Sequence, residues 1–339
     1  MKSIIISSVS FLLFLSIISC NTTEPPEDNL QPGRRDYIWT MDSLKSDLWF
    51  GLSDMWGSSP TNIWMVAGGI TGWDCLWHYD GVKWTRYDEY LNPALNTVFG
   101  INPDEVWIGD TYSTIWKFDG NTWKIFQTFS LSGFDHIDIG SIYGTSQNNL
   151  YAVGAADNYD GSGYKGVVLR YDGTRWSFLN IPEIRVGFHK IRKIKNGKYL
   201  IWGETNNNGF LEKLFVFDGN NNLKEIYSDY PYPGIYEMNG DTYITINSKI
   251  YKCENDQLVL WKEFPGTSYT GVVLGRSEKD FFGAGCDGIL HYNGTDLINI
   301  YQTEQLDLWG DLIFDKDVFF AGYTQEKRYV MIRGTLKDE

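Results

Sequence analysis

Apolar and polar positions along this chain alternate in short runs of strand length, and few stretches of the mature sequence keep a 3.6-residue rhythm long enough for a helix. Ile63, Trp64, Met65, Val66 and Ala67 are apolar at every position, the pattern of a strand covered on both faces by neighbouring sheets. Residues 83–87 instead alternate, with Trp84 and Arg86 in one phase and Lys83, Thr85 and Tyr87 in the other, as a half-exposed outer strand does. Between such runs lie Gly, Asn, Asp and Pro clusters that mark turns.

The runs repeat. An aromatic residue followed by Asp-Gly, two residues and Trp occurs as Tyr79-Asp80-Gly81-Val82-Lys83-Trp84, Phe118-Asp119-Gly120-Asn121-Thr122-Trp123 and Tyr171-Asp172-Gly173-Thr174-Arg175-Trp176. Decayed copies begin at Phe217-Asp218-Gly219 and Tyr292-Asn293-Gly294. The Asp-Gly or Asn-Gly pair supports a tight hairpin between two antiparallel strands. Upstream of each copy is a second motif: an aromatic-Gly pair, a polar turn and a strongly apolar strand. It begins at Trp56-Gly57, Phe99-Gly100 and Tyr143-Gly144, with weaker versions at Leu274-Gly275 and Trp309-Gly310. One unit is therefore four strands, A to D; in the first, A ends near Trp56, B is 63–67, C is 75–79 and D is 83–87.

The motif glycines Gly81, Gly120, Gly173 and Gly219 are spaced 39, 53 and 46 residues apart. The wider gap from Gly219 to Gly294 leaves room for one degenerate unit, with strand runs at 236–243, 249–253 and 258–264. Four-strand units of roughly 40–50 residues are propeller blades. The last unit, 309–335, lacks a D strand, whereas residues 37–40 form an isolated one ahead of the first A strand. Pairing 37–40 with 328–332 closes the ring and removes an exposed sheet edge. The expected fold is all-β, a β-propeller of seven four-stranded blades; a ring of six or eight is the alternative, because the fifth unit is degenerate. Over about residues 37–335 the pattern resembles the propeller repeats of bacterial surface lipoproteins, distantly akin to Kelch and two-component sensor propellers. That resemblance implies fold, not activity.

The first twenty residues have a different character. Lys2, an apolar run from Ile4 to Ile18 and the small Ser19 make an export signal, too short for the ~20 residues that cross a bilayer. Ile17-Ile18-Ser19-Cys20 resembles the lipobox of bacterial lipoproteins, which implies cleavage before Cys20 and a lipid on its thiol. Asn21, in place of the Asp that retains enterobacterial lipoproteins in the inner membrane, favours the outer membrane by the same resemblance. The organisation expected is a signal peptide at 1–19, a polar, Pro-rich tether at 20–36 and the propeller at 37–339.

Composition narrows the function. A net charge of −14 repels phosphate backbones, so no nucleic-acid partner is expected. The short basic run Lys190, Arg192, Lys193, Lys195 and Lys198 alternates with isoleucines and reads as a strand and turn with a solvated face. The four cysteines show no metal-ligand spacing, and three remain if Cys20 is lipidated. No P-loop, HExxH or nucleophile motif occurs, so no cofactor, metal or catalytic residue is assigned. An EF-hand register on Asp157–Gly163 fails, since its first and last ligands would be Ala156 and Val167.

In a propeller, A–B and C–D turns share one face, and B–C and D–A loops share the other. Here the first set is short and repetitive and the second varies in length, which places function on the B–C/D–A face. The candidate ligand-binding residues there are Trp73, Tyr112, Tyr159, Tyr164, Tyr269, Tyr323, Asp110, Glu204 and Asp287, because rings with polar tips beside carboxylates suit a glycan or a protein partner. Phe134, Phe210, Tyr230 and Tyr232 are further loop aromatics, and His136 and His189 could meet across the mouth. Trp84, Trp123 and Trp176 are expected between blades. A non-catalytic binding role at the bacterial envelope is favoured. The alternatives are a glycan-acting hydrolase or lyase using Asp110, Glu204 or Asp287 at the pore mouth, and a subunit of an envelope assembly.

Overall fold

Every full copy of the first motif turns on one side chain. Asp80 Oδ1 accepts the backbone N–H groups of Val82 and Lys83 (both 2.9 Å), and Asp119, Asp172, Asp218 and Asn293 do the same in their own turns. The following glycine has φ near +90° in all five, a left-handed conformation that a Cβ disfavours. These turns join strands C and D.

The computed structural model describes residues 30–44, 50–69, 75–87, 91, 94–205, 210–303, 306–324 and 329–338. Residues Gln31–Glu339 form one compact unit. Among the described residues there is no helix; 28 strands make seven four-stranded antiparallel sheets. The protein is a seven-bladed β-propeller. Blades 1 to 6 follow one another in the chain at 50–86, 95–128, 136–178, 187–229, 234–263 and 269–302. Blade 7 takes Leu306–Ile313, Asp317–Thr324 and Tyr329–Leu336 from the end of the chain and Tyr37–Leu44 from its beginning.

Two details differ from the sequence reading. Residues 37–40 pair with 336–333, not with 328–332, so the closing strand is one continuous ladder from Tyr37↔Leu336 to Leu44↔Tyr329. The run at 236–243 is not one strand but a hairpin of Gly234–Met238 and Asp241–Ile246, turned at the left-handed pair Asn239 and Gly240.

Seven apolar clusters fill the seven interfaces between consecutive blades, including that between blades 7 and 1. Strand B of blade 1 shows how. Ile63, Met65 and Ala67 pack toward blade 7, while Trp64 and Val66 pack toward blade 2. The motif tryptophans lie where the sequence put them, one interface each: Trp84 against Tyr79, whose other contact is Phe319 of blade 7; Trp123 against Trp64; and Trp176 against Trp107. Ring centroids in these pairs are 5.1–5.9 Å apart, within aromatic contact range. His78 and His291 also occupy one repeat position, each bonding the residue that opens strand B of its blade, Asn62 at 2.6 Å and Asp280 at 2.8 Å.

The inner A strands share another device. A one-residue bulge interrupts A–B pairing at Ser53, Asn96, Gly140, His189 and Trp309 in blades 1, 2, 3, 4 and 7. Bulges raise local twist and re-aim side chains, here at the inner edge of each blade.

The indole nitrogens of Trp84, Trp107, Trp123 and Trp176 are buried without a hydrogen-bond partner among the described residues, so these rings act by shape and area. Trp176→Ala should therefore cost about 3–5 kcal/mol, and Trp176→Phe, which leaves a smaller cavity, clearly less, in urea unfolding. Equal losses in the two variants would contradict this account.

Candidate functional site

The seven A strands enclose a central cavity of about 360 Å³. Its A–B end is lined by Trp56, Phe99 and Tyr143 from blades 1 to 3, then Arg192, Glu237, Leu274 and Leu312 from blades 4 to 7. The Arg192 guanidinium lies 5.5 Å from the Tyr143 ring centroid, a cation–π distance. Deeper in the cavity, Lys190 faces Asp54 and Asp311. Burial and Arg192 push the Lys190 ammonium down, while Asp54 and Asp311 pull it back up. Burial raises the Asp311 carboxyl, which Lys190 partly offsets. Asp54 is tied to blade 2, accepting from Thr97 Oγ1 at 2.9 Å and Val98 N at 3.2 Å. Thr97 Oγ1 in turn accepts from Ile142 N of blade 3 at 3.2 Å, so three inner strands are joined around the cavity.

Tyr232, in the D–A loop between blades 4 and 5, also lines this cavity and marks its opening toward the B–C/D–A face. Its ring meets Trp202 at 5.0 Å, Trp202 meets His189 at 4.9 Å, and His189 Nε2 lies 3.4 Å from Glu204 Oε1. Trp202 Nε1 donates to Glu212 Oε2 at 2.6 Å. From blade 3, the Tyr164 hydroxyl reaches Gly187 at the start of strand A of blade 4, where an added Cβ would lie only 2.0 Å from it. Burial, with Glu204, Asp157 and Asp138 nearby, pushes Tyr164 up to about 12. Burial lowers His189, against the opposing pull of Glu204. The result is a continuous ledge of rings and carboxylates over blades 3 and 4, ending at the cavity mouth.

Of the residues singled out from sequence, Tyr164 and Glu204 belong to this ledge. Tyr159 lies farther out, 74% exposed and stacked on His136 at 4.7 Å, so His136 and His189 belong to separate pairs. Asp110 is a correction: it is fully buried, accepting from Tyr112 N (2.8 Å), Thr114 N (2.9 Å) and Trp116 Nε1 (3.0 Å), and it holds its own turn. Tyr269 is a second. Its ring is buried between blades 5 and 6, and its hydroxyl donates to Val272 O at 2.9 Å. Tyr112 is exposed on blade 2, Tyr323 packs on Tyr329 in blade 7, and Asp287 accepts from Ser268 Oγ at 2.7 Å in blade 6. None of these three joins the ledge. Trp73 and Cys20 lie outside the described residues. Asp110, Glu204 and Asp287 sit on blades 2, 4 and 6.

Trp202 is the residue that reasoning from the sequence missed, and the repeat held a signal for it. Trp202 pairs with Lys190 next to the A-strand bulge of its blade, the place that Gly109 holds in blade 2 and Val153 in blade 3. An indole where the neighbouring blades carry glycine and valine breaks the repeat, and it is half-exposed where Val153 is buried.

No protein-family model matches this chain, and no curated protein matches it. Solved structures do. YCF48 bound to D1 peptide is 15% identical with a TM-score of 0.62, covering 91% of this chain and 100% of that one. YCF48 from Cyanidioschyzon merolae is 15% identical with a TM-score of 0.59 over 86% and 98%. The C-terminal WD40 domain of Sif2 is 10% identical with a TM-score of 0.53 over 85% and 82%. At these identities the likeness is one of fold.

Asp138 lies beside the ledge, accepting a hydrogen bond from Asn96 of blade 2. Burial, with Asp110 and Asp157 nearby, raises its carboxyl to about 6. A raised acid favours the folded state at low pH. Between about pH 4 and 6 the unfolded chain ionises first, and this contribution is lost as pH rises. Asp138→Asn should stabilise the protein by up to about 2–3 kcal/mol at pH 8 and have little effect at pH 4, read by urea midpoints at both values. A stability difference that does not change with pH would refute the assignment.

Proposed function

We propose that this protein is a non-catalytic binding protein that holds a segment of another protein on the B–C/D–A face of its propeller, and that a lipid on Cys20 displays it on the bacterial envelope. One observation carries the reading: Trp202, Tyr232, His189, Glu204 and Tyr164 converge from three strands and one loop of blades 3 and 4 at the mouth of the cavity. Rigid rings give area at low entropic cost, and the flanking carboxylates give polarity and register. The solved YCF48 described as bound to D1 peptide supports a protein ligand for a propeller of this shape. The lipobox-like Ile17-Ile18-Ser19-Cys20 supports the anchor.

Screening a random peptide library against the purified chain should enrich peptides whose affinity falls about tenfold or more, ~1.4 kcal/mol, in Tyr232→Ala and Glu204→Gln. Tyr112→Ala, on blade 2, should leave affinity unchanged, and the three variants should melt within a few degrees of the parent. Absence of enrichment, together with Tyr232-dependent binding on a glycan array, would replace the protein ligand by a sugar. Cys20→Ala should move the protein from the membrane to the soluble fraction; retention on membranes would refute the anchor.

A further inference from the structure

The last residues before the closing strand are held on one face of the ring. Gly33 N donates to Lys279 O at 2.8 Å, and a Cβ on Gly33 would lie 2.6 Å from Asp280 Oδ1 and 2.7 Å from His291 Cε1. Arg35 Nη2 donates to His291 O at 2.9 Å and Asp296 O at 2.7 Å, and pairs with the Asp296 carboxylate at 2.8 Å. Arg34 Nη2 donates to Lys337 O at 2.7 Å. Lys279 is in the A–B turn of blade 6, Asp296 in its C–D turn, and Lys337 directly follows strand C of blade 7. All three therefore belong to the A–B/C–D face, opposite the ledge at Trp202 and Tyr232.

This is more than a surface ion pair, which alone is worth about 0–1 kcal/mol. His291 is fully buried; its Nε2 meets Asp280 at 2.8 Å and its Nδ1 faces Arg35 Nε at 3.4 Å. That arrangement fits a neutral ring that donates to Asp280 and accepts from Arg35. Arg276 connects Asp280, at 3.3 Å, to the Tyr37 hydroxyl, at 2.9 Å. The latch at residues 33–35 is thus built into the network that seats the closing strand.

We propose that this latch sets the direction in which the propeller is displayed: the chain leaves from the A–B/C–D face, so the cavity mouth points away from the anchored end, and its partner is a protein arriving from the aqueous side rather than the bilayer or a membrane-embedded segment. The inference rests on the reading of Cys20 as anchor and of the mouth as binding surface. Lengths favour it. From Cys20 to Gly33 the chain spans at most about 45 Å when fully extended. Strands of eight residues make the blade roughly 27 Å deep, with roughly 10 Å more from its middle to its rim. Turning the mouth onto the bilayer would use nearly the whole span, at a large cost in chain entropy.

The test reads orientation without any ligand. The lipidated chain, with Cys253→Ser and Cys286→Ser, is reconstituted in phosphatidylcholine vesicles carrying a rhodamine headgroup acceptor. A donor is placed on Val82→Cys, in the C–D turn of blade 1, or on Tyr230→Cys, in the D–A loop after blade 4; both positions are highly exposed. Transfer from position 82 should be at least twofold higher than from position 230, and Gly33→Val with Arg35→Ala, which frees the chain up to Tyr37, should narrow the difference. Equal transfer in the parent, or higher transfer from position 230, overturns the proposal. If the chain does not carry a lipid, the anchor reading fails instead. Spin-label distances from Glu27→Cys to the same two positions then decide the latch, a shorter distance to 82 supporting it and a shorter distance to 230 refuting it. Peptide binding is measured separately, so loss of that reading leaves this result standing.

Discussion

Packing between blades is what the rest of the molecule depends on. Each four-stranded sheet is apolar on both faces and has no interior of its own, so its side chains are buried only by the blades before and after it. The arrangement is cyclic, and the cluster formed by Leu44, Phe319, Met331, Ile63 and Met65 is as necessary as any other, although its members come from both ends of the chain. The large rings of the motif suit this role. A tryptophan on an outer strand reaches across to a tryptophan or phenylalanine-type neighbour and covers area that smaller residues would leave open. Where the ring is replaced, as at Leu258, a mainly aliphatic cluster fills the interface instead.

Ring closure creates a second constraint. Seven inner strands cannot meet on the axis, so they line a channel whose walls are backbone and whichever side chains the bulges aim inward. In this protein those side chains are unevenly distributed. Aromatic rings come from blades 1 to 3 and from blade 5 with the loop that enters it, cations from blade 4, and carboxylates from blades 1, 5 and 7. The asymmetry continues at the mouth, where Trp202, His189, Glu204 and Tyr232 gather on blade 4 and its exit loop. A symmetric scaffold thus carries one distinguished sector, and the latch at Gly33 and Arg35 fixes the opposite face to the entering chain.

Much of this was written in the order of residues. Alternation, the Asp-Gly turns and the interval between motifs determine four-stranded units and their number, because turn chemistry and burial on two faces act over a few residues and recur in every copy. The missing last strand and the spare first one determine how the ring closes. Tertiary structure alone decided the register of that closure, 37–40 against 333–336, since several offsets of so short a strand satisfy the same alternation. It also decided which loop residues are free. Asp110 and Glu204 each close strand B of their blade, yet Asp110 is consumed by Tyr112, Thr114 and Trp116 while Glu204 remains at the mouth beside His189. Hydrogen-bond partners and burial are set by atoms distant in the chain, and a repeat pattern carries no record of them. Trp202 is the intermediate case: its departure from the repeat is visible in sequence, but its meaning appears only when Tyr232, from the next loop, is seen to cover it.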